Sequence, residues 1–81
     1  MLIVTSVSAD NIQVNYVLSA ETDVTICIND VTGKQVYSES KGSINQGRHF
    51  TFINTSALAK GFYTVAVQTN NGKSTSKLIV Q

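Results

Sequence analysis

The feature that most constrains this chain is a two-residue alternation of apolar and polar positions, interrupted by turn residues about every 8–12 residues. Val24, Ile26 and Ile28, for example, alternate with Thr25 and Cys27. The chain has no proline, and no segment shows the period of an α-helix. The pattern therefore predicts an all-β protein.

The turn signals divide the chain into seven short strands. The predicted strands are residues 2–7, 12–19, 24–29, 34–39, 48–54, 62–69 and 73–80. Short strands at this spacing are typical of an immunoglobulin-like (Ig-like) antiparallel β-sandwich with Greek-key connections. Since no linker, internal repeat or low-complexity tract is present, residues 1–81 are predicted to form a single domain.

The connections also have local signatures. Asp30 and Gly33 predict a hairpin turn, because Asp can bind its own backbone and Gly tolerates positive φ. Asn71-Gly72 suits the two left-handed positions of a type I′ turn. Residues 41–47 form a polar segment bounded by two glycines and are predicted to be a loop. Residues 55–60 are predicted to be an irregular or single-turn crossover.

Alternation assigns side chains to the two faces of each strand. In the fifth strand, Phe50 and Phe52 are predicted to face the core, which leaves His49 on the outer face. Tyr16 is predicted to face inward and Tyr37 to be the outward-facing aromatic ring.

Charge and hydropathy exclude several partners. The net charge is +1, and the six Lys and Arg residues are dispersed singly, unlike the basic clusters of nucleic-acid-binding surfaces. No apolar stretch approaches the roughly 18 residues of a membrane-spanning helix. Neither nucleic-acid binding nor membrane spanning is expected.

Candidate chemical groups are few. His49 is the only histidine and Cys27 the only cysteine, whereas metal sites and catalytic triads require several converging side chains. We expect His49 to be a surface residue and Cys27 a structural thiol; a reactive or intermolecular cysteine is the alternative. The five acidic residues lie at turns or strand ends, less densely than calcium ligands do. The sequence predicts no catalytic, cofactor or metal site and no enzyme activity.

Two segments stand out as patterns. Leu58-x-x-Gly61-x-Tyr63 precedes a late strand in the manner of a tyrosine corner, in which the phenol hydroxyl returns to an upstream backbone group; ligand contact by Tyr63 is the alternative. The final Lys77-Leu78-Ile79-Val80 is either a closing strand or an exposed handle for sheet-edge addition by a partner.

The order of these pieces resembles a known family. Asp30-x-x-Gly33-x-x-Val36, the Leu58-x-x-Gly61-x-Tyr63 corner and the last apolar strand follow one another as in the C-terminal sorting domain of type IX secretion cargo from Bacteroidetes. The resemblance covers nearly the whole chain from residue 11. It implies a seven-stranded Ig-like domain at the C-terminus of a larger exported protein, with Gly33, Leu58, Gly61 and Tyr63 defining the fold. The residues expected to matter most for recognition are Lys77, Leu78, Ile79 and Val80.

The resemblance also implies a route and partners. The domain directs cargo from the periplasm through the outer membrane, a receptor or shuttle of the secretion system reads it, and a sortase-like cysteine peptidase removes it. Many cargo proteins are then attached to lipopolysaccharide at the cell surface. Deleting residues 77–81 is expected to block export while leaving most of the fold.

This chain departs from the family pattern at one point. Many family members begin with a Pro-Asn-Pro-like segment, and this chain lacks proline. The competing interpretation is an Ig-like accessory module, such as a spacer, a carbohydrate-binding appendage or a domain of a flagellar hook-capping protein. A module of that kind stays in the mature protein. In either case the apolar first strand predicts weak self-association through sheet edges.

Overall fold

The structure, a computed structural model, describes the backbone of residues 2–8 and both backbone and side chains of residues 10–80. Antiparallel strands account for most of these residues. The strands are β1 (Leu2–Ser8), β2 (Asn11–Leu18), β3 (Thr22–Asp30), β4 (Gln35–Ile44), β5 (Gly47–Asn54), β6 (Gly61–Thr69) and β7 (Gly72–Val80).

These strands form two sheets. One sheet has the order β1-β2-β5 and the other β4-β3-β6-β7. Connections that pass from one sheet to the other bring β5 beside β2 and β6 beside β3, both antiparallel. The prediction of an all-β, antiparallel, two-sheet sandwich is confirmed.

The core lies between the sheets and comes from alternate residues of each strand. Its largest fully buried side chains include Ile12, Ile26, Ile28 and Leu78, with Tyr16 buried beside them. Burying such a side chain stabilises the fold by about 1.5–3 kcal/mol. The predicted inward faces of β2, β3 and β6 are confirmed.

The face prediction for β5 is wrong. Thr51 and Ile53 are buried, whereas Phe50 and Phe52 point to solvent. The reason is register: Ile53 lies directly opposite Ile12 in β2. Directly opposed residues share one face of a sheet, so the inward face of β2 fixes that of β5.

His49 changes face with the rest of β5. It is half-buried on the inner side opposite Tyr16. The two ring centroids are 5.8 Å apart, and His49 Nε2 donates a hydrogen bond to the Asn45 carbonyl oxygen at 2.7 Å. The expectation of an outer-face histidine is therefore also wrong.

The predicted loop at residues 41–47 is largely strand. β4 continues to Ile44, and a bulge accommodates the glycine that suggested a loop. Val24 pairs with Gly42 and Thr25 with Ser40, which leaves Lys41 as the extra residue. Gly42 has a φ of +70°, a left-handed conformation typical of β-bulges.

The turn between β3 and β4 is confirmed. Asp30 Oδ1 accepts hydrogen bonds from the Thr32 backbone N–H at 2.9 Å, the Thr32 hydroxyl at 2.6 Å and the Lys34 N–H at 3.1 Å. Gly33 supplies a φ of +88°. Aspartate capping and a left-handed glycine thus build the turn as predicted.

The hairpin between β6 and β7 has a different geometry from the predicted type I′ turn. Thr69 pairs with Gly72, so Asn70 and Asn71 are the two loop residues. Both have negative φ, whereas type I′ needs positive φ at both central positions. Two threonine hydroxyls hold this turn: Thr22 Oγ1 accepts from Asn70 N and Thr69 Oγ1 from Asn71 N.

Candidate recognition surface

An apolar groove of about 320 Å³ lies on the outer face of the four-stranded sheet. It is found where β6 begins, β7 ends and the β3–β4 turn projects. The residues that line it are Val31, Phe62, Tyr63, Thr64, Lys77 and Ile79. We refer to it as the Phe62 groove.

Strand register builds the groove. Phe62 in β6 lies directly opposite Ile79 in β7, and Thr64 lies opposite Lys77. Cross-strand neighbours of this kind have Cβ atoms about 4.5–5.5 Å apart. The turn anchored by Asp30 places Val31 beside them. Each lining position is therefore fixed by a paired strand or a hydrogen-bonded turn.

The groove exposes large apolar side chains. Val31 is 77% exposed, Phe62 67% and Ile79 48%. Single exposed apolar residues are ordinary, but a cluster of them marks a contact surface. The exposed Lys77 places one positive charge beside this apolar surface.

The four residues predicted for recognition divide between two environments. Lys77 and Ile79 line the Phe62 groove. Leu78 and Val80 point the other way and are buried in the core. Only half of the predicted set is thus available to a partner.

Val31 and Phe62 are not among the residues that the sequence predicted for recognition. Alternation could have found Phe62, because it precedes Tyr63 and so has the opposite parity to the inward face of β6. The pattern could therefore have predicted that Phe62 is an outward-facing apolar residue. No local signal places Val31 beside Ile79, since that contact depends on the sheet order.

Three of the four residues predicted to define the fold, Leu58, Gly61 and Tyr63, lie at or just before the start of β6, and Gly33 lies in the β3–β4 turn. The Tyr63 hydroxyl donates to the Ala59 carbonyl oxygen at 2.6 Å, which is the geometry of a tyrosine corner. Leu58 packs against the core, and its N–H donates to the Thr55 carbonyl oxygen at 3.0 Å. Gly61 begins β6 opposite Val80. The contribution of these residues to the stability of the fold stays a prediction.

Tyr37 is not the outward ring that the sequence suggested. It is half-buried against the core, and its hydroxyl donates to Glu39 Oε1 at 2.8 Å. Lys41 Nζ lies 3.2 Å from Glu39 Oε2. Burial and the neighbouring Glu39 raise the pKa of Tyr37, whereas the hydrogen bonds from Tyr37 and Lys41 lower the pKa of Glu39. The exposed rings are Phe50, Phe52 and Phe62 instead.

Within residues 10–80, no three His, Cys, Asp or Glu side chains cluster as metal ligands would. Cys27 is half-buried in the middle of β3, opposite Ala66 of β6 and Ser38 of β4. No helix long and apolar enough to cross a membrane occurs in the described part of the chain.

The family of this chain follows from its similarity to a known sequence family. Residues 8–81 match the family described as "Secretion system C-terminal sorting domain". The chain belongs to this family. The resemblance to type IX sorting domains is thereby confirmed over nearly the whole chain.

Structural comparison supports the fold independently. The chain is similar to a DUF3244 family protein from Bacteroides vulgatus ATCC 8482, which is described as an Ig-like β-sandwich. The TM-score is 0.77 at 15% identity, with 98% of this chain and 84% of the other covered. No curated protein matches the sequence significantly.

Family membership has direct consequences. Sorting domains are signals rather than enzymes, and they interact with secretion machinery. A type IX sorting domain implies export to the outer membrane or the cell surface. The Phe62 groove is therefore the candidate recognition surface of a sorting domain.

Proposed function

We propose that this domain is an address label whose folded surface, centred on the Phe62 groove, is read by an outer-membrane receptor or shuttle of the type IX secretion system. The domain is appended to a larger exported protein and acts as one unit over residues 1–81. The observation that carries the proposal is the exposure of Phe62 and Ile79 on a strand pair whose opposite face is core. Packing of the core accounts for the apolar residues on the inward face of this strand pair. Contact with the receptor accounts for the apolar residues on its outward face.

The chemistry of the groove specifies the partner's surface. Val31, Phe62 and Ile79 offer apolar area, and Lys77 lies among the lining residues. A complementary surface would insert apolar side chains and place a carboxylate near Lys77. A charge pair of this kind contributes to orientation and association rate more than to affinity.

The edge position of β7 supplies a second mode of contact. β7 is the outermost strand of its sheet, and edge strands present backbone groups to which another strand can pair. We propose that the receptor combines such pairing with the apolar contact to Ile79. Weak self-association through edge strands stays a separate prediction.

Removal of the domain completes the proposed pathway. A sortase-like peptidase cuts near or before residue 1 after transit through the periplasm, and the cargo stays on the surface or is released. Mass spectrometry of the mature surface protein tests this step. A sorting signal is missing from the mature polypeptide, whereas an accessory module is retained in it.

Export itself is tested with a periplasmic reporter protein fused to the N-terminus of this chain. The fusion is expressed in a bacterium with a type IX system and in the same strain lacking that system. We expect surface or medium localisation only when both domain and system are present. Export without the domain, or periplasmic retention of the fusion in the competent strain, would refute the proposal.

A further inference from the structure

A second exposed apolar feature lies on the other sheet, away from the Phe62 groove. Phe50 is 61% exposed and Phe52 63% exposed on the outer face of β5. Their ring centroids are 5.6 Å apart with an interplanar angle of 75°. In this edge-to-face arrangement the two rings meet at an open angle, so that one ring presents its face beside the edge of the other.

Most side chains next to the two rings are polar, although Val17, opposite Arg48, is an exposed apolar residue on the same face. Phe50 lies directly opposite Asn15 in β2, and Phe52 lies opposite Gln13. Gln13 Nε2 donates to Asn15 Oδ1 at 3.1 Å, which holds the two amides in a defined orientation. Arg48, one outward position further along β5, is exposed. Aromatic faces, amides and a guanidinium thus lie side by side.

From this combination we infer that the outer face of β2 and β5 is a saccharide-binding surface. The C–H face of a pyranose ring carries partial positive charge and suits the negative face of an aromatic ring. Sugar hydroxyls both donate and accept hydrogen bonds, as the amides of Gln13 and Asn15 do, and Arg48 adds N–H donors. This activity is independent of the proposed sorting function.

The size of the patch argues against a protein partner. A phenylalanine buries about 150–250 Å² in total, so covering the exposed parts of both rings removes roughly 250 Å². A stable protein interface buries about 800 Å² on each partner. The rings alone therefore fit a ligand of one or two sugar units far better than a second protein.

A lipid surface is also a poorer match. Membrane-surface binding combines several Lys or Arg residues with a broad apolar face. Among the outward residues of β2 and β5, Arg48 is the single charged side chain. The charge needed for attraction to anionic headgroups is therefore not concentrated here.

The test is titration of the ¹⁵N-labelled chain with cellohexaose, mannohexaose and chitohexaose, followed by amide chemical shifts. We expect at least one of them to shift the amides of Gln13, Asn15, Phe50 and Phe52 in a saturable way. The F50A/F52A double variant should lose at least about tenfold in affinity, because both stacking faces are removed. Its dispersed spectrum will show that these exposed positions are not needed for folding.

F62A is the matched control, because it removes an exposed phenylalanine from the opposite sheet. It should bind the saccharide as the unchanged chain does. No saturable shift with any of the three saccharides would overturn the inference, as would unchanged affinity in F50A/F52A. Equal loss in F62A, or binding to phosphatidylglycerol vesicles in place of saccharide, would overturn it as well.

Discussion

At the residue scale, a few side chains bind the backbone where the chain changes direction. Asp30 accepts three hydrogen bonds in the β3–β4 turn, and Tyr63 spans the crossover into β6 to reach Ala59. Both lie beside the Phe62 groove, since the Asp30 turn carries Val31 and Tyr63 lines the groove itself. Local order at these two residues thus positions the Phe62 groove.

Removal of the Tyr63 hydroxyl should have a measurable but limited cost. We expect Y63F to lower the free energy of unfolding by about 0.5–1.5 kcal/mol, because one hydrogen bond is lost while the ring stays in place. Urea denaturation measures this difference. A variant as stable as the unchanged chain would show that the corner contributes nothing to the fold.

The Asp30 turn predicts a pH dependence. The hydrogen bond from the Thr32 hydroxyl is the main cause that lowers the pKa of Asp30. As pH falls, the Asp30 carboxylate is therefore protonated at a higher pH in the unfolded chain than in the folded chain. The stabilisation that this carboxylate gives is fully present above about pH 3.9 and is lost as pH falls through the lower pKa of the folded state.

Comparison of the unchanged chain with D30A in urea tests this expectation. The difference in urea midpoint between the unchanged chain and D30A should be constant near neutral pH and shrink under strongly acidic conditions. D23A, at an exposed position, is the control. A difference that stays the same down to about pH 2 would contradict the expectation.

At the element scale, strand features that depend on residues nearby in the chain were predicted correctly. Features that depend on pairing with a strand distant in the chain were not. Burial alternates regularly through β2 and β3, and in β6 Val65 and Val67 lie on one face although Ala66 between them is also buried, so the inward faces could be predicted from the sequence. The face of β5 depends on its register with β2, and two phenylalanines outweighed the buried Thr51 and Ile53 in the local pattern. The bulge at Gly42 looked like a loop because its pairing with β3 is not local.

The reversed face of β5 can be checked by paired substitutions. I53A should destabilise the fold by about 2–5 kcal/mol, because it leaves a cavity in the core. F52A, one position away, should cost no more than about 1.5 kcal/mol, because it loses the edge-to-face contact with Phe50 but leaves no cavity in the core. The opposite ranking in urea denaturation would restore the face assigned from the sequence alone.

The two faces of β7 also differ in their surroundings. Two of its predicted residues were found in the groove, and two belong to the core because alternation continues through β7. We expect L78A to cost about 2–5 kcal/mol and I79A about 0.5 kcal/mol or less. Equal effects in thermal or urea unfolding would contradict this division.

At the scale of the whole molecule, β7 contributes to the core and to the Phe62 groove at the same time. Deleting residues 77–81 removes Leu78 and Val80 from the core, and a domain of this size has a stability of only about 5–15 kcal/mol. The expectation that such a deletion leaves most of the fold is therefore not supported by the packing. Surface substitutions test recognition without this complication.

The proposed contact between the receptor and the Phe62 groove is tested by export. The most direct test compares export of a reporter fused to the unchanged chain with export of the F62S/I79S and F50S/F52S variants. Both variants lose two exposed apolar side chains, and urea denaturation verifies that each is folded. We predict that F62S/I79S stays in the periplasm while F50S/F52S reaches the surface. Normal surface export of folded F62S/I79S would contradict it.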